Sequence, residues 1–345
     1  MLEKSQSWRI NLVQESDSLR AAASTLNVAI HKIVLVVSSD EKLMGTLTDG
    51  DLRRALLAGA SLDGPLSEWM NKDFIFASNS ASTLELVSQM KSKVIHEIPI
   101  LDQLGRVQGL VADQQSETAF DGTFVIMAGG RGIRLMPLTE STPKPMLRVG
   151  GRPILENILT SAIAQGFRDF VISINYLGDV IEDYFGDGGK WGAKISYLKE
   201  QAPLGTAGAL SLLPEGTKGP IIVANGDLIT DLDYRAMLQH HNDTKAQISM
   251  AVRRFEYKYP YGVVQTTGHF VASIEEKPTI VSQVNTGVYV VDSQALGYLD
   301  KGKFINMTDL LQKVLDAKSK VAAFPIHEAW MDIGTPHDLR EANEL

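Results

Sequence analysis

Two stretches of the first third of the chain align with one another, and this repeat limits the layout more than any other feature. Residues 33–49, IVLVVSSDEKLMGTLTD, match residues 97–113, EIPILDQLGRVQGLVAD, at an offset of about 64 residues. Each copy reads as strand, polar turn, strand. Each follows an amphipathic helical stretch, LRAAASTLN and STLELVSQMKS, and the first precedes DLRRALLAG, a further helix. Two such units pack as a pseudo-symmetric pair. The polar run QQSETAFDGT then reads as a linker, which sets expected boundaries at 1–116, 117–122 and 123–345.

Beyond the linker, the apolar run FVIMA leads into glycines, and the pattern alternates to the strand IIVANGD. Alternating strands and helices predict an α/β domain with a mostly parallel sheet. A Gly-rich turn directly after an apolar strand lies at the sheet's carboxyl edge, where ligands of such folds bind. Composition narrows the chemistry. The balance of 33 Lys+Arg against 41 Asp+Glu gives −8, which disfavours nucleic acid as a partner. With no Cys there are no disulfides, thiolate metal sites or cysteine nucleophiles, so a metal would need oxygen or imidazole ligands. There is no secretory h-region and no run of 18 apolar residues, so neither export nor a membrane is expected, and a cytoplasmic location is the default.

Four groups of segments carry chemistry. In MAGGRGIRLMPLTESTPKP, Gly129, Gly130 and Gly132 allow a sharp turn with N–H groups close to an anion, while Arg131, Arg134 and Lys144 supply charge. Asp227 ends the strand IIVANGD and Asp332 lies in EAWMDIGT; two such carboxylates could share one Mg²⁺ with substrate phosphates. EQAPLGTAGAL, with Glu200, Gly205 and Thr206, is a turn opening a small-residue helix that could admit a flat base. A carboxylate only accepts hydrogen bonds, and guanine offers adjacent N1–H and N2–H donors, so Glu200 favours guanine. Finally YGVV, EEKP and NTGVYV provide Gly262, Glu276, Lys277 and Asn285. His240, His241 and His269 fit no ligand pattern and read as surface or loop residues.

These motifs, in this order, resemble the sugar-1-phosphate nucleotidyltransferases, or NDP-sugar pyrophosphorylases, over residues 123–345. The resemblance implies a Rossmann-like, GT-A-like α/β fold with a mixed, mainly parallel sheet. It implies that the Gly loop wraps the triphosphate, Arg134 and Lys144 face the departing pyrophosphate, and Glu200 reads the base. It also assigns Lys277 to the sugar phosphate, Gly262, Glu276 and Asn285 to the pyranose, and Asp227 and Asp332 to Mg²⁺. The family's usual Thr before the Arg is replaced by Ile133, which puts one hydroxyl contact in doubt.

The first third resembles a tandem CBS pair, α+β modules that bind adenosine nucleotides. That resemblance gives Thr48 and Asp51 to phosphate and ribose of a regulatory nucleotide, with Ala112 and Gln115 at the same positions of the second copy. Asp51 could equally cap the helix that follows, and CBS pairs can serve purely in dimerisation. The fused arrangement resembles the glucosamine-1-phosphate guanylyltransferases of bacterial legionaminic acid synthesis. GTP and glucosamine 1-phosphate are therefore the leading substrates, with mannose 1-phosphate or a heptose 1-phosphate as alternatives, in a homo-oligomer of dimer size or larger. A regulatory scaffold with an inactive transferase-like domain and a glycosyltransferase are the competing classes.

Overall fold

The computed structural model describes residues 2–4, 7–93, 95–113, 122–217 and 219–344. The expected linker, 117–122, falls almost wholly outside the described residues, as does Gln115. The chain divides into two compact units, residues 1–117 and 118–345.

In the first unit each repeat builds a hairpin, and the match extends to backbone irregularity. Ile33–Val37 pairs with Leu43–Thr48, and Glu97–Leu101 with Val107–Asp113, both antiparallel. The first hairpin slips register between Val36 and Val37 and the second between Ile100 and Leu101, positions that correspond under the repeat. A bulge kept in both copies re-aims the strand end identically. Ile33–Val37 is buried throughout, and helix Leu19–Val28 places Leu19, Ala22, Ala23 and Leu26 on one face toward it.

The second unit is organised by a seven-stranded sheet. Its strands in chain order are β1 (Thr123–Met127), β2 (Asp169–Ile174), β3 (Lys194–Lys199), β4 (Ile221–Asn225), β5 (Ile248–Lys258), β6 (Thr279–Val291) and β7 (Val321–Ile326). They lie side by side as β3-β2-β1-β4-β6-β5-β7. β6 runs antiparallel to both its neighbours, and every other pairing is parallel. The sheet is therefore mixed and mainly parallel, as expected.

Alternation along β1 builds two cores, Phe124 and Ile126 packing on one face and Val125 on the other. Both faces are covered, which is why the inner strands read as continuous apolar runs. From β1 the chain winds outward through β2 and β3, then returns to lay β4 on β1's other side. The carboxyl ends of β1 and β4 flank this reversal, so their following loops diverge and open a crevice. Met127 and Asn225 are register partners, and the Gly226 N–H donates to Met127 O at 2.9 Å, which holds the two ends abreast.

Candidate active site

The crevice is built by close approach of backbone. A Cβ on Gly226 would stand 2.8 Å from Met127 O, and one on Gly129 would stand 2.8 Å from Glu200 Oε1. Gly132 adopts φ +62° and packs where a Cβ would meet Thr139 and Lys144 at 3.0 Å. Thr139 Oγ1 donates to Gly132 O at 3.0 Å, tying the loop closed. Gly130 has open space in front of it. The Arg131 guanidinium lies 5.7 Å from the ring centre of Tyr176.

Lys144 is the centre of charge. Its residue is buried, and Nζ lies 2.5 Å from Asp227 Oδ2 and 3.8 Å from Asp332 Oδ1. Asp332 arrives from far along the chain because Trp330–Asp332 pairs antiparallel with Leu228–Thr230, Leu228 opposite Asp332, and the Ile333 N–H donates to Asp227 O. Half-burial and then the charge of Asp227 push the Asp332 carboxyl above its ordinary range, against the pull of Lys144 and Arg134. Asp227 Oδ1 is buried and accepts no hydrogen bond. Such an oxygen is costly unless something positive meets it.

These two carboxylates suit Mg²⁺, which commonly takes one or two protein carboxylates and fills its octahedron with water and phosphate. Among the described residues no group of three or more His, Cys, Asp or Glu forms a ligand cluster.

Two hollows meet at the ammonium. One, of about 240 Å³, is lined by Gly129, Gly130, Lys144, Glu200, Gly205, Thr206 and Asp227, with Phe304 at its edge. The other, of about 270 Å³, is lined by Gly130, Arg131, Gly132, Ile133, Arg134, Lys144, Asp227 and Gly334. Every residue assigned to nucleotide, pyrophosphate or metal thus faces one of two adjoining spaces, apart from Asp332, which reaches Lys144. Ile133 is 69% exposed, so the side chain that replaces the family's Thr occupies the open rim.

Glu200 has a structural task that its sequence position did not reveal. Ser173 Oγ donates to Oε1 at 2.6 Å and the Leu204 N–H to Oε2 at 2.8 Å, so the carboxylate pins the 201–204 turn. Each oxygen retains a second lone pair for a base. The turn is also held from the other side. Thr206 Oγ1 accepts from the Met307 N–H at 2.8 Å, and the Ala207 and Gly208 N–H groups both donate to Ile305 O at 3.1 Å. That lacing sets Phe304, 63% exposed, beside the cavity. Sequence reading missed Phe304 and Ser173, which lie within no charged or Gly-rich pattern, and Asn225, which lines the cavity but stands in IIVANGD beside the more conspicuous Asp227.

The sugar-side residues are placed differently. Gly262 and Glu276 are neighbours, a Cβ on Gly262 standing 2.8 Å from Glu276 Oε2. Lys277 holds φ +48°, a left-handed conformation that a Lys rarely adopts. Asn285 is committed internally, Nδ2 donating to Tyr289 Oη at 2.6 Å and Oδ1 accepting from the Gly287 N–H at 3.0 Å. None of these four residues lines either hollow.

His241 is corrected: it is buried on helix Tyr234–Thr244, with Nδ1 2.9 Å from Ser249 Oγ. Burial holds its pKa below the ordinary value. In the first unit, Thr48 and Asp51 form a capping box. Asp51 Oδ2 accepts from the Thr48 N–H at 2.9 Å, Thr48 Oγ1 accepts from the Asp51 N–H at 3.2 Å, and Arg54 pairs with Asp51 Oδ1.

Comparison with known families matches residues 123–345 to the nucleotidyl transferase model. The chain belongs to the nucleotidyl transferase family. Residues 9–58 and 66–114 each match the CBS domain, so the catalytic unit is GT-A-like and the repeat is a tandem CBS pair. The mannose-1-phosphate guanylyltransferase of Mycobacterium tuberculosis (strain ATCC 25618 / H37Rv) is 31% identical over 223 residues, 62% of each chain. The UTP–glucose-1-phosphate uridylyltransferase of Synechocystis (strain ATCC 27184 / PCC 6803 / Kazusa) is 28% identical, covering 63% of this chain and 61% of its own. The chain thus spans about three fifths of the length of these relatives. Among solved structures, HddC from Yersinia pseudotuberculosis complexed with GMP-PN superposes with a TM-score of 0.52 at 27% identity, over 65% of this chain and 98% of that one. No helix among the described residues is long and apolar enough to cross a membrane.

Proposed function

We propose that the protein condenses a nucleoside triphosphate with a sugar 1-phosphate, giving an NDP-sugar and pyrophosphate. One observation carries this reading: the Gly loop, Arg134, Lys144 and the Asp227–Asp332 pair converge on adjoining hollows at the carboxyl ends of β1 and β4. A sugar-phosphate oxygen forms the bond to the α-phosphorus as the bond to the bridging oxygen breaks, its electron pair leaving with pyrophosphate. The attacking monoester is already anionic, so no Ser, Cys or His base is needed. Catalysis then rests on positioning and charge neutralisation.

The backbone N–H groups at Gly129, Gly130 and Gly132 hold the triphosphate, and Arg131 and Arg134 face the outgoing end. Lys144 exchanges its carboxylate partners for phosphate oxygens when the nucleotide enters. Asp227 and Asp332 would hold Mg²⁺, which when bound supplies charge neutralisation of the triphosphate. Lys277 neutralises the sugar phosphate, while Gly262, Glu276 and Asn285 address the ring.

For the base, we infer guanine, read by Glu200 and flanked by Gly205 and Thr206. The likeness to a mannose-1-phosphate guanylyltransferase and to a structure holding GMP-PN supports this. The guanylyltransferase likeness favours mannose 1-phosphate over glucosamine 1-phosphate, the latter suggested by the fusion to a CBS pair alone. At the CBS pair we infer a regulatory adenosine or guanosine nucleotide at Thr48 and Asp51, which must share Asp51 with Arg54.

A pyrophosphate-release matrix of nucleoside triphosphates against sugar 1-phosphates, with Mg²⁺, tests the reading. GTP with mannose 1-phosphate should give the fastest release. Release with UTP or dTTP alone would remove the guanine assignment, and no release from any pair would remove the transferase.

A further inference from the structure

The carboxyl end of β2 holds three of the four polar groups of Glu200. Ile174 O accepts from the Glu200 N–H at 3.0 Å, Asn175 Nδ2 donates to Glu200 O at 2.7 Å, and Ser173 Oγ donates to Oε1 at 2.6 Å. The next residue, Tyr176, reaches the other way, toward the segment that follows the Gly loop. Its hydroxyl stands 3.2 Å from both Thr139 O and Glu140 O, one donor shared between two carbonyls, and its ring centre lies 5.7 Å from the Arg131 guanidinium. Thr139 in turn closes the Gly loop through Gly132 O. Leu177 then adopts φ +51°, a left-handed conformation that a Leu rarely takes, and helix Gly178–Phe185 starts at once. The Gly178 N–H donates to Asn175 O at 3.2 Å. Backbone of this kind persists only where the surroundings enforce it, and here it leaves Asn175 and Tyr176 no slack between strand and helix.

We propose that Tyr176 is a positioning residue for the phosphate loop, steering Arg131 with its ring and anchoring residues 139–140 with its hydroxyl. Tyr176 lines neither hollow, whereas Arg131 lines the second, so the effect passes through Arg131 and the loop. Arg131 is exposed, and an exposed Arg carries rotamer freedom that is lost when it clamps a phosphate. A ring within 6 Å of the guanidinium restricts that freedom beforehand, which is preorganisation supplied by the protein.

Asn175 and Tyr176 are consecutive, so two walls of the crevice share one anchor. Asn175 fixes the segment proposed to read the base, and Tyr176 the segment proposed to hold the triphosphate. Base and phosphates are thereby kept in one register, and a misplacement of about 1 Å in such a register costs on the order of 10²-fold in rate. This consequence for rate rests on the proposed transferase reading; the link from Tyr176 to Arg131 does not.

A double-mutant cycle on the full chain tests the proposal, read by calorimetry with GTP, UTP and dTTP as probes and by pyrophosphate release. Tyr176→Leu should weaken the triphosphate roughly tenfold and lower kcat by about 10²-fold, with the sugar 1-phosphate KM unmoved. Tyr176→Phe keeps the ring and loses the hydroxyl, and should recover most of the affinity. In an Arg131→Ala background, Tyr176→Leu should weaken the triphosphate by less than about threefold more, because its partner is already gone. Equal losses in both backgrounds would mean that the ring only packs, and would overturn the proposal. Leu and Phe variants that both bind like the wild type, or a wild type that binds none of the three probes, would also overturn it. Calorimetry needs no turnover, so if no substrate pair releases pyrophosphate the transferase reading fails while the cycle still reads the coupling.

Discussion

The nucleotide side and the sugar side that we propose for the catalytic unit are built on opposite principles. Around the nucleotide crevice, strand ends are locked by register, glycines let backbone meet backbone, and turn 201–204 is laced to residues about 100 positions away. On the proposed sugar side, Gly262, Glu276 and Lys277 lie at the base of a hairpin, Val263–Thr267 with Phe270–Glu275, that is exposed along most of its length. Rigid walls suit the half of the reaction in which a triphosphate must be held in line. The sugar ring, in the proposed reaction, would be met by the less constrained half, where substitutions leave the core undisturbed.

The difference can be broken or sharpened by substitution. Asp227→Asn should act on both sides at once, since it removes a charge from the proposed metal pair beside Lys144. A loss of kcat on the order of 10²–10³-fold is expected in the pyrophosphate assay. Retention of a tenth of the activity would show that Asp332 alone suffices. Lys277→Ala should split the sides. Loss of one charge-assisted hydrogen bond raises the sugar 1-phosphate KM by about 10- to 100-fold. GTP affinity by calorimetry should be unchanged, and a matching fall in GTP affinity would merge the two halves. Phe304→Ala is the reverse case: losing a ring beside the base should weaken GTP about tenfold and leave the sugar KM in place, with Phe304→Tyr restoring affinity. Thr48→Ala removes a helix cap outside both sides. The CBS pair should lose about 1 kcal/mol in chemical denaturation, with the catalytic unit's own transition unmoved.

Much of this was legible in the sequence, for identifiable reasons. Gly129 and Gly132 stand where a Cβ would collide, and Asp227 follows a buried strand, so residue type and position carried the signal directly. The shared bulge of the two CBS hairpins was not legible, since register is a property of pairs that a single strand does not display. His241 reads as a surface residue only when taken alone: Tyr234, Met237, Leu238 and His241 follow the i, i+3, i+4, i+7 spacing of one buried helix face. Phe304 had no such local trace. Its place depends on hydrogen bonds between residues 204–208 and 305–307, and those arise only when distant segments meet. The exposed hairpin hid for the opposite reason, since alternating apolar residues predict a strand without saying whether anything covers it.

The pairing of Leu228–Thr230 with Trp330–Asp332 has a consequence in time. During synthesis the Gly loop, Lys144 and Asp227 emerge long before residue 332, and Phe304 also follows the loop by more than 170 residues. A nascent or prematurely terminated chain can present the phosphate loop but cannot pair Asp227 with a second acid. The strand Trp330–Asp332 therefore ties the two-carboxylate arrangement to the arrival of residue 332, however early the Gly loop itself is exposed.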